Sequence, residues 1–265
     1  MNLEELIEKE IDNGYGDVNA RAKVCQDIIL KAISKGDFNR NVTIKGGVVM
    51  RSKTGNVRRA TQDLDIDFIR YSLAENKIDK FIEKLNCLEG ISIKREGKIE
   101  ELKQQDYHGR RVYLKIADKF NHVITSKLDI GVHNRLSIEQ EEYCFDIAFD
   151  DEGASLLINS NEQMFTEKLR SLLRFGSVST RYKDIFDMYY LCQQIDKSKL
   201  KICFDSYIYN DEGMREKNLQ EILKRVKKAF SDDFYKKNLS LSDKKWIDEP
   251  IDKILETIVT FLDTI

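Results

Sequence analysis

The chain has a single proline and a single tryptophan in 265 residues, and it has no long apolar run. The longest uninterrupted one, Met188 to Cys192, falls far short of the ~18 residues that a membrane-spanning helix requires. The five cysteines (Cys25, Cys87, Cys144, Cys192 and Cys203) are odd in number, scattered and without a CxxC pair. That pattern argues against a disulfide framework and a structural zinc site, and for reduced thiols in a cytoplasm. The opening segment MNLEELIEKE is acidic and amphipathic, unlike a secretory signal or a transit peptide. An excess of one charge is also lacking: 44 Lys+Arg against 46 Asp+Glu give a formal charge of −2. Nothing global attracts nucleic acid, so any such partner must be met by local patches.

Low-complexity stretches and repeats are absent too, and what remains is a globular composition, 41% hydrophobic and 34% charged. At roughly 150 residues per domain, the length allows one large domain or two small ones. A chain of this mass buries roughly 70% of its unfolded surface, enough for a core without staples. With one proline, boundaries must be read from periodicity. Leu3, Leu6, Ile7 and Ile11 follow helical spacing, and a second helix carries Val24, Ile28 and Ala32 between a cap at Asp17 and a stop at Gly36. Strand signals follow at Val42 to Lys45, Asp63 to Phe68, Ile91 to Ile93, Arg111 to Ile116 and His122 to Ile130, with a helix over Ile78 to Leu88. From about Met164 the apolar spacing is helical through to a final helix after Pro250. The polar stretch Asp150 to Asn161 divides the two regimes. The expectation is an α+β portion over residues 1–155, with a mixed sheet flanked by helices, and an all-helical portion over 156–265.

The most informative segment is Thr61-Gln62-Asp63-Leu64-Asp65-Ile66-Asp67-Phe68. Alternation in a strand puts Asp63, Asp65 and Asp67 on one face and Leu64, Ile66 and Phe68 on the other. Aspartate is disfavoured in strands and like charges on one face repel, so this face either lies in water or is supplied with cations. Alone, the pattern is more often a solvated sheet face. Carboxylates at i and i+2 also suit a divalent ion, magnesium in particular. An EF-hand is excluded, because its sixth and twelfth positions, Gly and Glu, are Phe68 and Ala74 here. Upstream, Lys45-Gly46-Gly47 ends a short strand before Val48-Val49-Met50. Glycines at such a turn let backbone N–H groups approach a phosphate. A glycine pair alone is weak, but an Asp-hydrophobic-Asp strand begins 16 residues after Gly47, and the combination is far more specific. Neither a P-loop nor a GxGxxG fingerprint is present, the histidines (His108, His122, His133) lack ligand spacing, and no Ser/His/Asp or Cys/His nucleophile set is discernible.

Lys45-Gly46-Gly47, the run Arg59-x-Thr61-x-Asp63-Leu64-Asp65 and the later helices resemble the AbiEii-like nucleotidyltransferases. These are toxins of bacterial abortive-infection and toxin–antitoxin systems, within the DNA-polymerase-β-like nucleotidyltransferase superfamily. The resemblance runs from about Lys45 to Leu191; Gly47 and Thr61 stand where many superfamily members carry Ser. It implies that Asp63 and Asp65 hold Mg2+ (or Mn2+), that Gly46 and Gly47 cradle an NTP, and that Lys45, Arg59 and Thr61 belong to the nucleotide site. It also implies a third carboxylate from a neighbouring strand, which completes the metal shell or serves as base. Asp129, in Thr125-Ser126-Lys127-Leu128-Asp129-Ile130, is the preferred candidate and Asp67 the competitor; a carboxylate at a strand end is otherwise usually a turn or cap residue. Lys168, in Glu167-Lys168-Leu169, borders the apolar stripe of its helix at ~100° per residue. Its plain reading is a stem along the core with the ammonium in water; the resemblance makes it a cation for nucleotide phosphates. In Lys183-Asp184-Ile185-Phe186-Asp187-Met188, Asp184 or Asp187 contributes to the site, and facing favours Asp184, although an aspartate in a first helical turn also suits the helix dipole.

The implied reaction is attack by an acceptor hydroxyl on the α-phosphate of an NTP, with the 3′ end of tRNA as acceptor, translation blocked as the consequence and a cognate antitoxin as partner. Arg51, Lys53, Arg58 and Arg59, and later Lys224, Arg225, Lys227 and Lys228, could engage an RNA backbone, although such runs are usually solvated faces. Two alternatives stay open: a nucleotidyltransferase acting on a small molecule such as an antibiotic or metabolite, and a non-catalytic protein whose acidic strand binds a metal or a basic partner.

Overall fold

The computed structural model of the chain describes residues 1–102 and 109–265; His108 lies outside them. These residues form two compact units, Met1–Asn159 and Ser160–Ile265.

The first unit begins with α1 (Leu3–Asp12) and α2 (Asp17–Lys35). Gly16 rather than Asp17 occupies the N-cap of α2; Asp17 sits in its first turn, where a carboxylate still complements the helix dipole. Gly36 ends it. There follow β1 (Val42–Lys45), α3 (Gly46–Thr54), β2 (Asp63–Phe68), α4 (Glu75–Lys84), β3 (Ile91–Leu102), β4 (Gly109–Asp118), β5 (Val123–Val132), β6 (Glu141–Ile147) and β7 (Asp150–Ile158). The strands form one seven-stranded mixed sheet in the order β3-β4-β5-β2-β1-β7-β6. β2 runs parallel to β5 and β1 parallel to β7, while β1 and β2 are antiparallel. The acidic strand is therefore central, with paired neighbours on both sides.

The polar stretch expected to separate the two regimes is the seventh strand. Ala154, Leu156 and Ile158 of β7 are buried while Asp151, Glu152 and Ser155 are exposed; acidic residues and a glycine hid this alternation. β6 went unread for the same reason, its buried residues being Phe145 and Ile147 alone. The sheet buries Leu64, Ile66 and Phe68 completely. Phe68 packs edge-on against Tyr71 and Phe81, with ring centroids 5.1 Å apart in both cases. α2 is buried continuously from Val24 to Ile33, including the polar Gln26, Asp27 and Lys31, so its middle behaves as a core helix rather than a surface one.

The second unit is helical: α5 (Asn161–Phe175), α6 (Tyr182–Leu191), α7 (Lys197–Phe204), α8 (Leu219–Phe230), α9 (Asp233–Leu241) and α10 (Ile251–Asp263). Ser160 caps α5 by accepting from Gln163 N, and Pro250 stands at the N-cap of α10, where its missing N–H costs nothing. Leu169, Ile185, Phe186, Ile222, Val226, Ile254 and Ile258 form its core. Among the described residues no helix is long and apolar enough to cross a membrane.

Candidate active site

The sheet register aligns charged side chains in one row across four strands. Asp65 of β2 lies opposite Asp129 of β5 on one side and Lys45 of β1 on the other, and Asp129 lies opposite Arg111 of β4. Residues paired in register share a face, so the row reads Arg111, Asp129, Asp65, Lys45. One row along, Asp63 faces Lys127. The cations are in contact with the acids. Arg111 donates from Nε and Nη2 to the two oxygens of Asp129, both at 2.8 Å, a bidentate pair of the stronger kind. Lys127 Nζ lies 2.6 Å from Asp63 Oδ1, and Lys45 Nζ lies 2.7 Å from Asp67 Oδ1.

These contacts separate the three aspartates of β2. Asp67 is buried and compensated by Lys45 at the inner end of the strand, whereas Asp63 and Asp65 are partly exposed. Of the two alternatives for this face, water or a supply of cations, the structure shows cations on Asp63 and Asp67. Asp65 is the unsettled member: burial pushes its pKa up to about 6, Lys45 opposes the shift, and Asp129, Asp63 and Asp67 add to it. Burial is the main cause of the shift, and the neighbouring carboxylates reinforce it against Lys45.

The glycine pair packs directly on this face. Gly46 has φ +68°, in the left-handed region, and a Cβ there would lie 2.6 Å from Asp65 Oδ2. A Cβ on Gly47 would come within 2.7 Å of Thr61 Cβ and Oγ1. Each glycine is thus required by close approach, and the first also by backbone conformation. Together they bring the start of α3 against the two residue types that the motif pairs with it. Arg59 is buried in the short turn Val57–Arg59 that leads into β2.

Three contributors escaped the sequence reading. Arg111 and Lys127 are recruited by strand register. Gln26, fully buried in α2, donates from Nε2 to the carbonyls of Thr61 (2.9 Å) and Asp63 (3.4 Å) and accepts from Arg51 Nη1 at 2.5 Å. Arg51 also lies 3.5 Å from Asp27. It is a buried strut for the loop before β2, and its guanidinium is not offered to an RNA as the basic run suggested. No local pattern marks such a glutamine.

The remaining candidates lie in the second unit. Lys168 Nζ sits 3.0 Å from Asp184 Oδ1 and 2.7 Å from Asp187 Oδ2, and all three side chains are buried. Arg181 Nε contacts the other oxygen of Asp184 at 2.7 Å, and Trp246 Nε1 donates to Asp187 at 3.2 Å. Facing does not separate the two acids, because both meet Lys168. The lysine is held in a carboxylate clamp rather than snorkelling to water.

Among the described residues no three or more His, Cys, Asp or Glu converge as a self-sufficient metal cage. Magnesium does not require one, since one or two carboxylates together with substrate phosphates commonly hold it. Asp63 and Asp65 are hard oxygen donors two positions apart on one strand, and burial together with the adjacent Asp129, Asp63 and Asp67 disfavours the charged form of Asp65 in the absence of a further cation. The donor set fits the ion.

Among solved structures, the chain is similar to an antigenic nucleotidyltransferase-like protein from Paracoccidioides brasiliensis, with 15% identity over 84% of this chain and 91% of that one and a TM-score of 0.46. It is also similar to ANT(2")-Ia in complex with adenylyl-2"-tobramycin, with 17% identity over 70% of this chain and 95% of that one and a TM-score of 0.43. No curated protein matches it in sequence. The family model described as nucleotidyl transferase AbiEii toxin, type IV TA system, matches residues 28–257. With that match covering most of its length, the chain belongs to the AbiEii family of nucleotidyl transferase toxins.

Proposed function

We propose that the protein transfers a nucleoside monophosphate from an NTP to an RNA acceptor, the 3′ end of tRNA, and thereby blocks translation. The observation that carries this reading is the seating of Gly46 against Asp65, which sets a helix start beside partly exposed carboxylates. The backbone N–H groups at that helix start bind the triphosphate. Asp63 and Asp65 would hold magnesium, which when bound supplies Lewis-acid stabilisation of phosphate charge. The acceptor hydroxyl forms a bond to the α-phosphorus as the bond from that phosphorus to the bridging oxygen of the β-phosphate breaks, and pyrophosphate leaves. Asp129 takes the hydroxyl proton: Arg111 fixes its plane with one hydrogen bond per oxygen, which leaves each oxygen a further lone pair. Positioning and electrostatics dominate this kind of chemistry. The toxin–antitoxin description of the family supports a cognate antitoxin as a further partner.

The test incubates purified protein with each α-radiolabelled NTP, magnesium and total RNA. Label entering a tRNA-sized band is the expected result. Label recovered only in small hydroxylated molecules would contradict the RNA acceptor, and no transfer to any acceptor would contradict the enzyme.

A further inference from the structure

The second unit contains a cavity of about 650 Å³, lined in part by Lys224, Arg225 and Lys228 of the basic run and by none of the candidate catalytic residues. Its wall carries five cations: Arg174 at the end of α5, Arg215, and Lys224, Arg225 and Lys228 on α8. Two carboxylates oppose them, Glu216 and Glu221. Glu221 Oε2 accepts from Lys217 N at 2.7 Å, which ties it to the loop before α8. Arg225 is anchored by donating from Nε to Leu173 O at 3.2 Å. The side chains of Arg215, Lys224 and Lys228 are exposed and have no hydrogen-bond or ion-pair partner among the described residues. On the same helix, Lys227 meets a carboxylate, Asp263, at 3.3 Å. Lys224 and Lys228, one turn apart on the cavity side, do not.

Next to one of these cations in the chain is an exposed aromatic residue. Phe175 follows Arg174 and is 53% exposed. It precedes Gly176, at which a Cβ would meet the Arg225 guanidinium at 3.2 Å. Cations that track a phosphate backbone next to an exposed ring on which a base can stack are the two elements of single-stranded nucleic-acid binding. A free polyphosphate would use the cations but not the ring.

We infer that this cavity docks the phosphodiester backbone of a single-stranded stretch of RNA, with Phe175 stacking on a base. The inference rests on the reading that the acceptor is RNA. It assigns the cavity's surplus positive charge to that backbone.

The test is fluorescence anisotropy of a short fluorescein-labelled single-stranded RNA with the full chain over a salt series. The double variant Lys224→Ala/Lys228→Ala should lower the slope of log affinity against log salt by about 1.4, the value for two lost phosphate contacts on a single strand. Phe175→Ala should weaken binding about tenfold, as expected for one lost stacking contact, and leave the slope unchanged. Lys227→Ala, outside the cavity, should bind as the parent does. All these positions are exposed, so melting curves that match the parent's confirm folding. An unchanged slope in the double variant overturns the inference. So does inorganic tripolyphosphate competing as well as RNA while Phe175→Ala binds normally, because that describes a free-phosphate site. Cavity-dependent RNA binding without any label transfer would overturn the catalytic reading alone. Transfer to RNA by a protein whose double variant keeps its salt slope would overturn the docking site alone.

Discussion

Asp65→Asn should make the protein more stable at neutral pH while removing the side chain on which the proposed reaction depends. The Asp65 pKa rises from 3.8 to about 6, first through burial and then through Asp129, Asp63 and Asp67 acting against Lys45. A rise of about 2 units corresponds to about 3 kcal/mol of differential interaction. Solvent around a partly exposed group reduces this, so a gain of about 1–3 kcal/mol is expected. The folded state binds the proton more tightly than the unfolded chain. The penalty is therefore absent below pH 3.8, grows as pH rises and is complete above about 6. Asparagine keeps the shape and carries no charge. At pH 7.5 its Tm should rise by roughly 2–4 °C per kcal/mol, and well below pH 3.8 the two proteins should melt together. Scanning calorimetry in matched buffers reads both limits. A variant that is less stable at neutral pH, or whose gain is the same in acid, would refute the claim that burial makes the charge at this position destabilising.

Magnesium with a non-hydrolysable NTP should raise the Tm of the parent protein and leave that of Asp65→Asn unmoved, as read by thermal shift with and without EDTA. Gly47→Ala should destabilise by about 1–3 kcal/mol through overpacking against Thr61; urea unfolding measures the cost, and adding Thr61→Gly should recover most of it. Gln26→Leu should cost about 2–3 kcal/mol, because the Thr61 carbonyl and the Arg51 guanidinium lose a buried partner; chemical denaturation checks this.

The acidic strand was legible because its parity is local: every second residue is an aspartate, and the intervening Leu64, Ile66 and Phe68 commit the other face to the core. The glycine pair was legible for a related reason, since a motif of fixed spacing survives without knowledge of the fold. Arg111, Lys127 and Gln26 were not, because sheet register or a helix packed on the sheet brings them to the site from far along the chain. Parity alone also could not tell Asp67 from its neighbours. Its burial depends on Lys45 arriving from β1, a pairing that exists only once the sheet has formed. β6 and β7 were hidden because their outward faces are rich in acids that strands seldom carry.

The central claim is that Asp63 and Asp65 together form the centre of a nucleotidyl-transfer site, and the rate of α-phosphate label transfer to RNA tests it most directly. Asp63→Asn and Asp65→Asn, each shown to be folded by calorimetry, should lose transfer by two orders of magnitude or more, on the order of the loss seen when a key electrostatic group is removed from other enzymes. Either variant transferring label at the parental rate would contradict the account.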